Sequence, residues 1–418
     1  MASAIRSSSE GDISLWGSLR EGIRASGIPW LFIAPSLIVM VILTFYPQIY
    51  QISLSFYDFR AENMRPDNPA LYVGLQNYQQ VLSEGLNVPN YSFFPLLGFN
   101  IMWTVVNVFF HVVLGVAIAM VLNAKDVFGK RFYRTMFVIP WGMPVLITGL
   151  IWNNMWQKNG GAVNLLAEAL NNRFGTQFGT QTDWLGDLTP PVDLRGIIPA
   201  VVIIGCGLLA AWLAWGLIKK GVTNPKTGKW ELNRVVWNGG IMIIAGLASI
   251  ATLIDVLNGS ISTSVITKLF DRAGAPVLAF YSLLITNVWL GWPFMMVVAT
   301  GALQSIPPDL YEAADVDGAN KWEQFKSITV PLIRPAMVPA IMLGTIYTFN
   351  LFNVIYFITA GGPRNQTDLL ITQAYKLIAQ PPQLYGAASA FAIIVFFILL
   401  IITLIQNHVT RATEAYDE

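Results

Sequence analysis

An all-α polytopic membrane protein with about eight transmembrane helices and both termini in the cytoplasm is predicted by three features of the sequence. Of 418 residues, 54% are hydrophobic and 12% are charged, about half the roughly 25% charged residues of a soluble domain. So few ionised side chains cannot solvate the surface of two or three soluble domains, and the bilayer is the expected solvent. Eight stretches free of Asp, Glu, Lys and Arg each approach the ~20 apolar residues that a spanning helix needs. Finally, Lys and Arg alternate in abundance between successive connections, in the manner of the positive-inside rule.

In chain order the predicted spans are Leu31 to Phe56, Leu96 to Leu122, Thr135 to Trp156, Gly196 to Ile218, Val235 to Ile254, Val277 to Leu303, Ala336 to Ile358 and Gly386 to Asn407. Backbone in hydrocarbon must satisfy its own hydrogen bonds, and none of these runs has the alternation of a barrel strand, so all are read as helices. The first is long and lacks a small-residue cleavage site after a short core, which makes it an anchor. With a cytoplasmic N-terminus, 16 of the 25 Lys and Arg fall inside and nine outside. The inside set includes Lys125 to Arg134, the Lys219 to Arg234 loop, and Lys321, Lys326 and Arg334.

Composition also excludes several functions. Cys206 is the single cysteine, and His111 and His408 are far apart, so neither an internal disulfide nor a Cys- or His-based metal site is expected. A net charge of +1 argues against nucleic acid as a partner. The fragment Gly221 to Lys229 has the wrong glycine spacing for a phosphate loop and no Ser or Thr after Lys229, so the chain is not expected to hydrolyse ATP. The spans hold no convergent acid, base or metal ligands, and no enzyme activity is predicted.

The connection between the sixth and seventh spans is unlike the others. Pro307 and Pro308 stop the membrane helix, Asp309 is placed to cap a short helix with Glu312 completing a reciprocal box, and Gly318 is placed to end it. Trp322, Phe325 and Ile328 then recur at helical spacing. A surface hairpin with an apolar face between two spans is suited to docking in the cleft of another protein.

Glu312, Ala313 and Ala314, followed after three residues by Gly318 and after nine more by Ile328, Thr329, Val330 and Pro331, resemble the EAA loop of the membrane permeases of binding-protein-dependent ABC importers. Val330 stands where the family usually has Leu. The resemblance implies that residues 304 to 335 form a coupling loop seated in a separate ATPase, with Glu312 facing basic residues of that partner. The run from Asn287 to Met296, Ile139 with Pro140, and the run from Phe352 to Pro363 look like the maltose-type sugar permeases. The likeness covers about residues 29 to 185 and 275 to 410. It implies a six-helix core in two parts, interrupted by an inserted two-helix hairpin over 186 to 274, with short cytoplasmic segments at 1 to 28 and 411 to 418. Further implied are a homologous second permease, a homodimeric ATPase that carries ATP and Mg, an extracytoplasmic sugar-binding protein docking on loops that include Gly361 to Pro382, and a prokaryotic cytoplasmic membrane as the location.

Sugar recognition needs hydrogen-bonding side chains beside aromatic faces, and the spans supply both. Asn287, Leu290, Gly291 and Phe294 share one face of the sixth helix near the interruption at Pro293. The resemblance places Asn287, Leu290 and Gly291 in a sugar site, with Phe294 where related permeases have Tyr. On the seventh helix Tyr347, Thr348, Asn350 and Asn353 cluster within two turns. Each polar side chain reads equally as a bond between helices or as a sugar contact, and the group reads as cavity lining. Asn100, Asn107 and His111 form a stripe with Trp103 on the second helix, read as packing against the second permease in preference to a transport role. The function expected is that of the permease subunit of an ATP-driven importer for maltose, maltodextrin or a related disaccharide. An ion-coupled secondary transporter is the alternative; it needs an intramembrane carboxylate, and Asp255 alone comes near.

Overall fold

The computed structural model describes residues 27–83, 85–86, 88–124, 127–220, 232–258 and 265–410. Most of the predicted N-terminal segment, the 411 to 418 tail, much of the Lys219 to Arg234 loop, and the side chains of Asp255 and His408 lie outside this description. The helices are α1 (Gly27–Met40), α2 (Tyr46–Leu54), α3 (Gln76–Leu82), α4 (Phe93–Asn123), α5 (Lys130–Gly142) and α6 (Val145–Met155), then α7 (Ala162–Phe174), α8 (Ile198–Lys220), α9 (Leu232–Leu257), α10 (Val265–Gly274) and α11 (Leu278–Gln304). They continue with α12 (Asp309–Val316), α13 (Lys321–Gln324), α14 (Val330–Phe349), α15 (Asn353–Thr359), α16 (Leu370–Ala379) and α17 (Tyr385–Thr410). A two-stranded antiparallel ribbon, β1 (Tyr57–Asp58) with β2 (Leu71–Tyr72), follows the first span.

Six helical runs of the described residues are long and apolar enough to cross a membrane, or seven if one bent pair counts as a span. The bent pair corrects the prediction of a single helix from Thr135 to Trp156. α5 and α6 meet at 91°, because Pro144 forces the preceding Met143 out of the helical region, to φ −78°, ψ 138°. The predicted span from Ala336 to Ile358 lies within one membrane-crossing run, Lys321–Thr359, whose helical hydrogen bonding is interrupted between α14 and α15, with Asn350 at the C-cap of α14. Of the predicted fifth span, Asn238–Ile254 is a shorter apolar helix by the same measure. The other predicted spans coincide with helices.

The central seam is α4 against α11, lined by Trp292, Met295, Met296 and Ala299 on one side and Ala119 and Leu122 on the other. Small residues let the two backbones approach, as in membrane helix pairs generally. At Gly115 an added Cβ would stand 2.6 Å from Met295 Cβ and 2.8 Å from the Met296 nitrogen. Gly115→Val is therefore expected to overpack the seam and to lower stability by about 3 kcal/mol, the upper end for added core methyls, read as thermal unfolding in detergent. A second cluster joins α4, α11, α15 and Trp156 through Phe99, Trp103, Phe280 and Ile355. A third gathers Phe93, Leu96, Phe349, Leu370 and Phe391 from α4, α14, α16 and α17. Helices α8 and α9 pack chiefly on each other, with α10 linking them to α4.

Candidate functional site

A cavity of about 500 Å³ opens where α4, α11, α14, α15 and the α5–α6 bend converge, within the ~300–1,000 Å³ range of small-molecule sites. It exists because α14 stops at Phe349 and the chain restarts as α15 at Asn353. Interrupted backbone at membrane depth is tolerated where it lines a cavity or is buried in protein. Asn100 ties the break down: its Nδ2 donates to the Phe349 carbonyl over 3.2 Å, and its Oδ1 accepts from the Leu370 amide over 2.8 Å.

Of the eight residues predicted for the sugar pathway, Asn287, Leu290, Gly291, Phe294, Tyr347, Thr348 and Asn353 line this cavity. Asn350 does not; it caps α14. Trp141 and Met143 from the α5–α6 bend, Met295, Leu343, Gly344, Leu351 and His111 complete much of the wall. Tyr347 is 73% exposed, and the Trp141 and Phe294 rings lie 6.0 Å apart at 30°. The described lining has aromatic faces, amides and the hydroxyls of Tyr347 and Thr348, and no Asp, Glu, Lys or Arg.

The stripe Asn100, Asn107 and His111 does not face outward toward a second permease. All three are buried inside this chain, because each amide or ring has a partner there. Asn107 Nδ2 donates to the Trp103 carbonyl over 2.8 Å, Asn287 Nδ2 donates to Asn107 Oδ1 over 2.7 Å, and His111 Nε2 lies 3.0 Å from the Asn287 carbonyl oxygen. Asn287 thus bonds α11 to α4 and still lines the cavity. Periodicity alone did not reveal His111 as a wall residue; its signal was the i+4 spacing from Asn107, opposite Gly291.

The second candidate region is the connection 304 to 335. The predicted cap at Asp309 is not formed: Pro308 holds the N-cap position with no side-chain bond, so Asp309 begins the helix. The capping box lies one helix later. Asn320 Oδ1 accepts from the Trp322 and Glu323 amides, each over 3.0 Å, and Glu323 accepts from the Asn320 amide over 2.8 Å. Gly318 ends α12 as expected, at φ +79°, with the Gly318 amide donating to the Asp315 carbonyl and Ala319 to that of Ala314. Lys321 and Gln324 donate to Asp315, and these bonds hold its carboxyl below the usual carboxylate range.

Glu312 and Ala313 are exposed on α12, Ala314 is half-buried, and Pro331 is exposed at the start of α14. Among the described residues Glu312 has no side-chain partner. Trp322 is 69% exposed and stacks on Phe325, while Ile328 packs into the α4–α11 core. A turn of wider helix, Phe325–Thr329, joins α13 to α14, braced by a 2.9 Å contact between the Tyr311 and Thr329 hydroxyls.

On the opposite side of the bundle, Lys376 on α16 pairs with Asp368 at 2.7 Å, with both side chains buried. Burial pushes the Asp368 carboxyl up, against the pull of Lys376 and Thr372.

Residues 111 to 415 match the family described as the binding-protein-dependent transport system inner membrane component. The chain belongs to this family. It is a multi-pass membrane protein, and the family is one of transporter components, not catalysts. Among its relatives, the maltodextrin transport system permease protein MalC of Streptococcus pneumoniae is 26% identical over 95% of this chain and 72% of its own length. The trehalose/maltose transport system permease protein MalF of Thermococcus litoralis is 26% identical over 93% of this chain and 95% of its own. A chain of the bacterial alginate ABC transporter, solved in complex with an alginate pentasaccharide-bound periplasmic protein, shares the fold with a TM-score of 0.58 at 17% identity, over 95% of this chain and 97% of that one. The chain is thus a permease of the ABC sugar importer type.

Proposed function

We propose that the chain is the permease subunit of an ATP-driven importer of a neutral disaccharide or short oligosaccharide of the maltose or maltodextrin class. The observation that carries this reading is α14. The coupling loop lies at its start, and Leu343, Gly344, Tyr347 and Thr348 of the cavity wall lie near its end. Twenty helical residues span about 30 Å, so a push on α12 and α13 is delivered to the cavity by one rigid element. Glu312, Ala313, Ala314, Gly318, Ile328 and Pro331 form the seat for a separate homodimeric ATPase, where ATP and Mg bind. The other half of the pathway comes from a homologous second permease, and a sugar-binding protein delivers substrate at Gly361 to Pro382. Both termini are cytoplasmic in this arrangement, and residues 186 to 274 are an insertion in the six-helix core.

Neutral sugars are favoured because the described wall residues offer amides and aromatic faces and no Lys or Arg; a buried carboxylate without a partner costs several kcal/mol. Proteoliposomes holding this chain, its second permease, the ATPase and the binding protein are expected to import labelled maltose with ATP. A uronate trisaccharide should be moved at least about tenfold more slowly. Maltose uptake driven by a proton or sodium gradient with the ATPase omitted would overturn the importer reading.

A further inference from the structure

His111 lies on α4 one turn beyond Asn107, 5% exposed, and its ring forms part of the cavity wall. The ring rests on Gly291. A Cβ there would collide with imidazole Cε1 and Nε2 and would stand 2.7 Å from Nδ1, so the missing side chain of Gly291 opens the space that the ring edge occupies. Nε2 lies 3.0 Å from the Asn287 carbonyl oxygen. A carbonyl only accepts, so Nε2 carries the proton, and the neutral ring keeps Nδ1 as an acceptor. The neighbouring amides are already committed: Asn107 Nδ2 to the Trp103 carbonyl, and Asn287 Nδ2 to Asn107 Oδ1. Each donor in this network is directed at a helix, which leaves acceptor capacity at the wall. A sugar presents hydroxyl donors.

We infer that His111 Nδ1 accepts a hydrogen bond from a hydroxyl of the transported sugar, which makes His111 a specificity-determining residue of the cavity. The inference rests on the importer reading above. The Asn287 carbonyl sets the tautomer, and Gly291 sets the depth of the ring. A donor-rich neutral sugar satisfies Nδ1, whereas an apolar or hydroxyl-poor solute of similar size leaves a buried acceptor unpaired, and sites built to pair a hydroxyl reject such analogues strongly.

The test uses the reconstituted complex with labelled maltose and reads maltose imported per ATP hydrolysed. His111→Leu is expected to lower maltose imported per ATP hydrolysed by about tenfold. His111→Gln retains a donor for the Asn287 carbonyl and an acceptor for the sugar, and should recover transport to within about threefold of native. Native maltose per ATP in the Leu variant, or equal loss in Leu and Gln, overturns the inference and leaves the importer reading standing. If the native complex itself shows no ATP-dependent maltose uptake, the importer reading falls and this inference with it. A second measurement is independent of any folding defect in the Leu variant. In the ¹⁵N-histidine-labelled complex, the Nδ1 resonance assigned by difference from His111→Gln should move when maltose is occluded; an unchanged resonance with maltose occluded overturns the inference.

Discussion

Glu312→Lys is expected to lower ATP-driven maltose uptake by about 100-fold or more while the chain still inserts and folds. The side chain is exposed on α12 and forms no bond within the described chain, so its replacement removes nothing that holds this subunit together. A plain capping role, the simplest alternative for an acid near a helix start, does not apply, because Pro308 occupies the N-cap without a side-chain bond and the box belongs to Asn320 and Glu323. The prediction therefore rests on the proposed contact with a separate ATPase. Reversing one charge of a desolvated pair costs ~2–5 kcal/mol or more, which at the proposed ATPase seat is a loss of assembly or of coupling. Co-purification of the ATPase with the variant, together with sugar-stimulated hydrolysis, separates the two. Native uptake by the Lys variant would remove Glu312 from the coupling interface. Glu323→Lys is the control; it breaks the capping box of α13 and should cost only the ~1 kcal/mol of a lost cap.

The sequence revealed most of the spans and less of the cavity, for identifiable reasons. Charge-free runs mark a helix in lipid whatever its direction, so the bend between α5 and α6 passed as one span; the readable signal was Pro144, which constrains Met143. The same holds at Asn350, where the amide marks the end of α14 and does not enter the cavity. The second span is apolar apart from one polar stripe, and that stripe alone does not distinguish a face toward a second chain from a face toward this chain's own helices. The stripe therefore reads as an outer contact in sequence, whereas the partners of Asn100, Asn107 and His111, namely Phe349, Leu370, Trp103 and Asn287, lie within the chain. The cluster of Asn287, Leu290, Gly291 and Phe294 was legible from its i, i+3, i+4 and i+7 spacing, and for Asn287, Leu290 and Gly291 also from the family resemblance.

Removal of Asp368 is expected to be the most damaging single change outside the membrane helices. Its carboxylate accepts from Lys376 over 2.7 Å and from Thr372 over 2.9 Å, and Lys376 in turn donates to Asn365 over 2.9 Å, whose Nδ2 donates to the Pro89 carbonyl over 3.0 Å. Gly361 leaves no room for a Cβ against the Asp368 carboxylate, so the turn between α15 and α16 is built around this group. Buried Arg272 adds a second cation whose charge interacts with Asp368. Asp368→Leu strands buried Lys376 and leaves Arg272 with only the charge of Asp271, and should cost about 3–5 kcal/mol, the range for breaking a buried pair. Lys376→Met leaves Asp368 facing Arg272 and Thr372, and should cost appreciably less. That burial raises the Asp368 carboxyl despite Lys376 means that desolvation outweighs the attraction, so the double variant Asp368→Leu with Lys376→Met should be milder than Asp368→Leu alone, with a coupling of at least about 1 kcal/mol. Thermal unfolding of the four proteins in one detergent measures this cycle, and proteolysis within 361 to 382 reports whether the turn has opened. Equal cost for the two single variants would mean that Arg272 does not share the carboxylate. Full additivity would mean that the ion pair does not fix the turn that carries α15 and its share of the cavity wall.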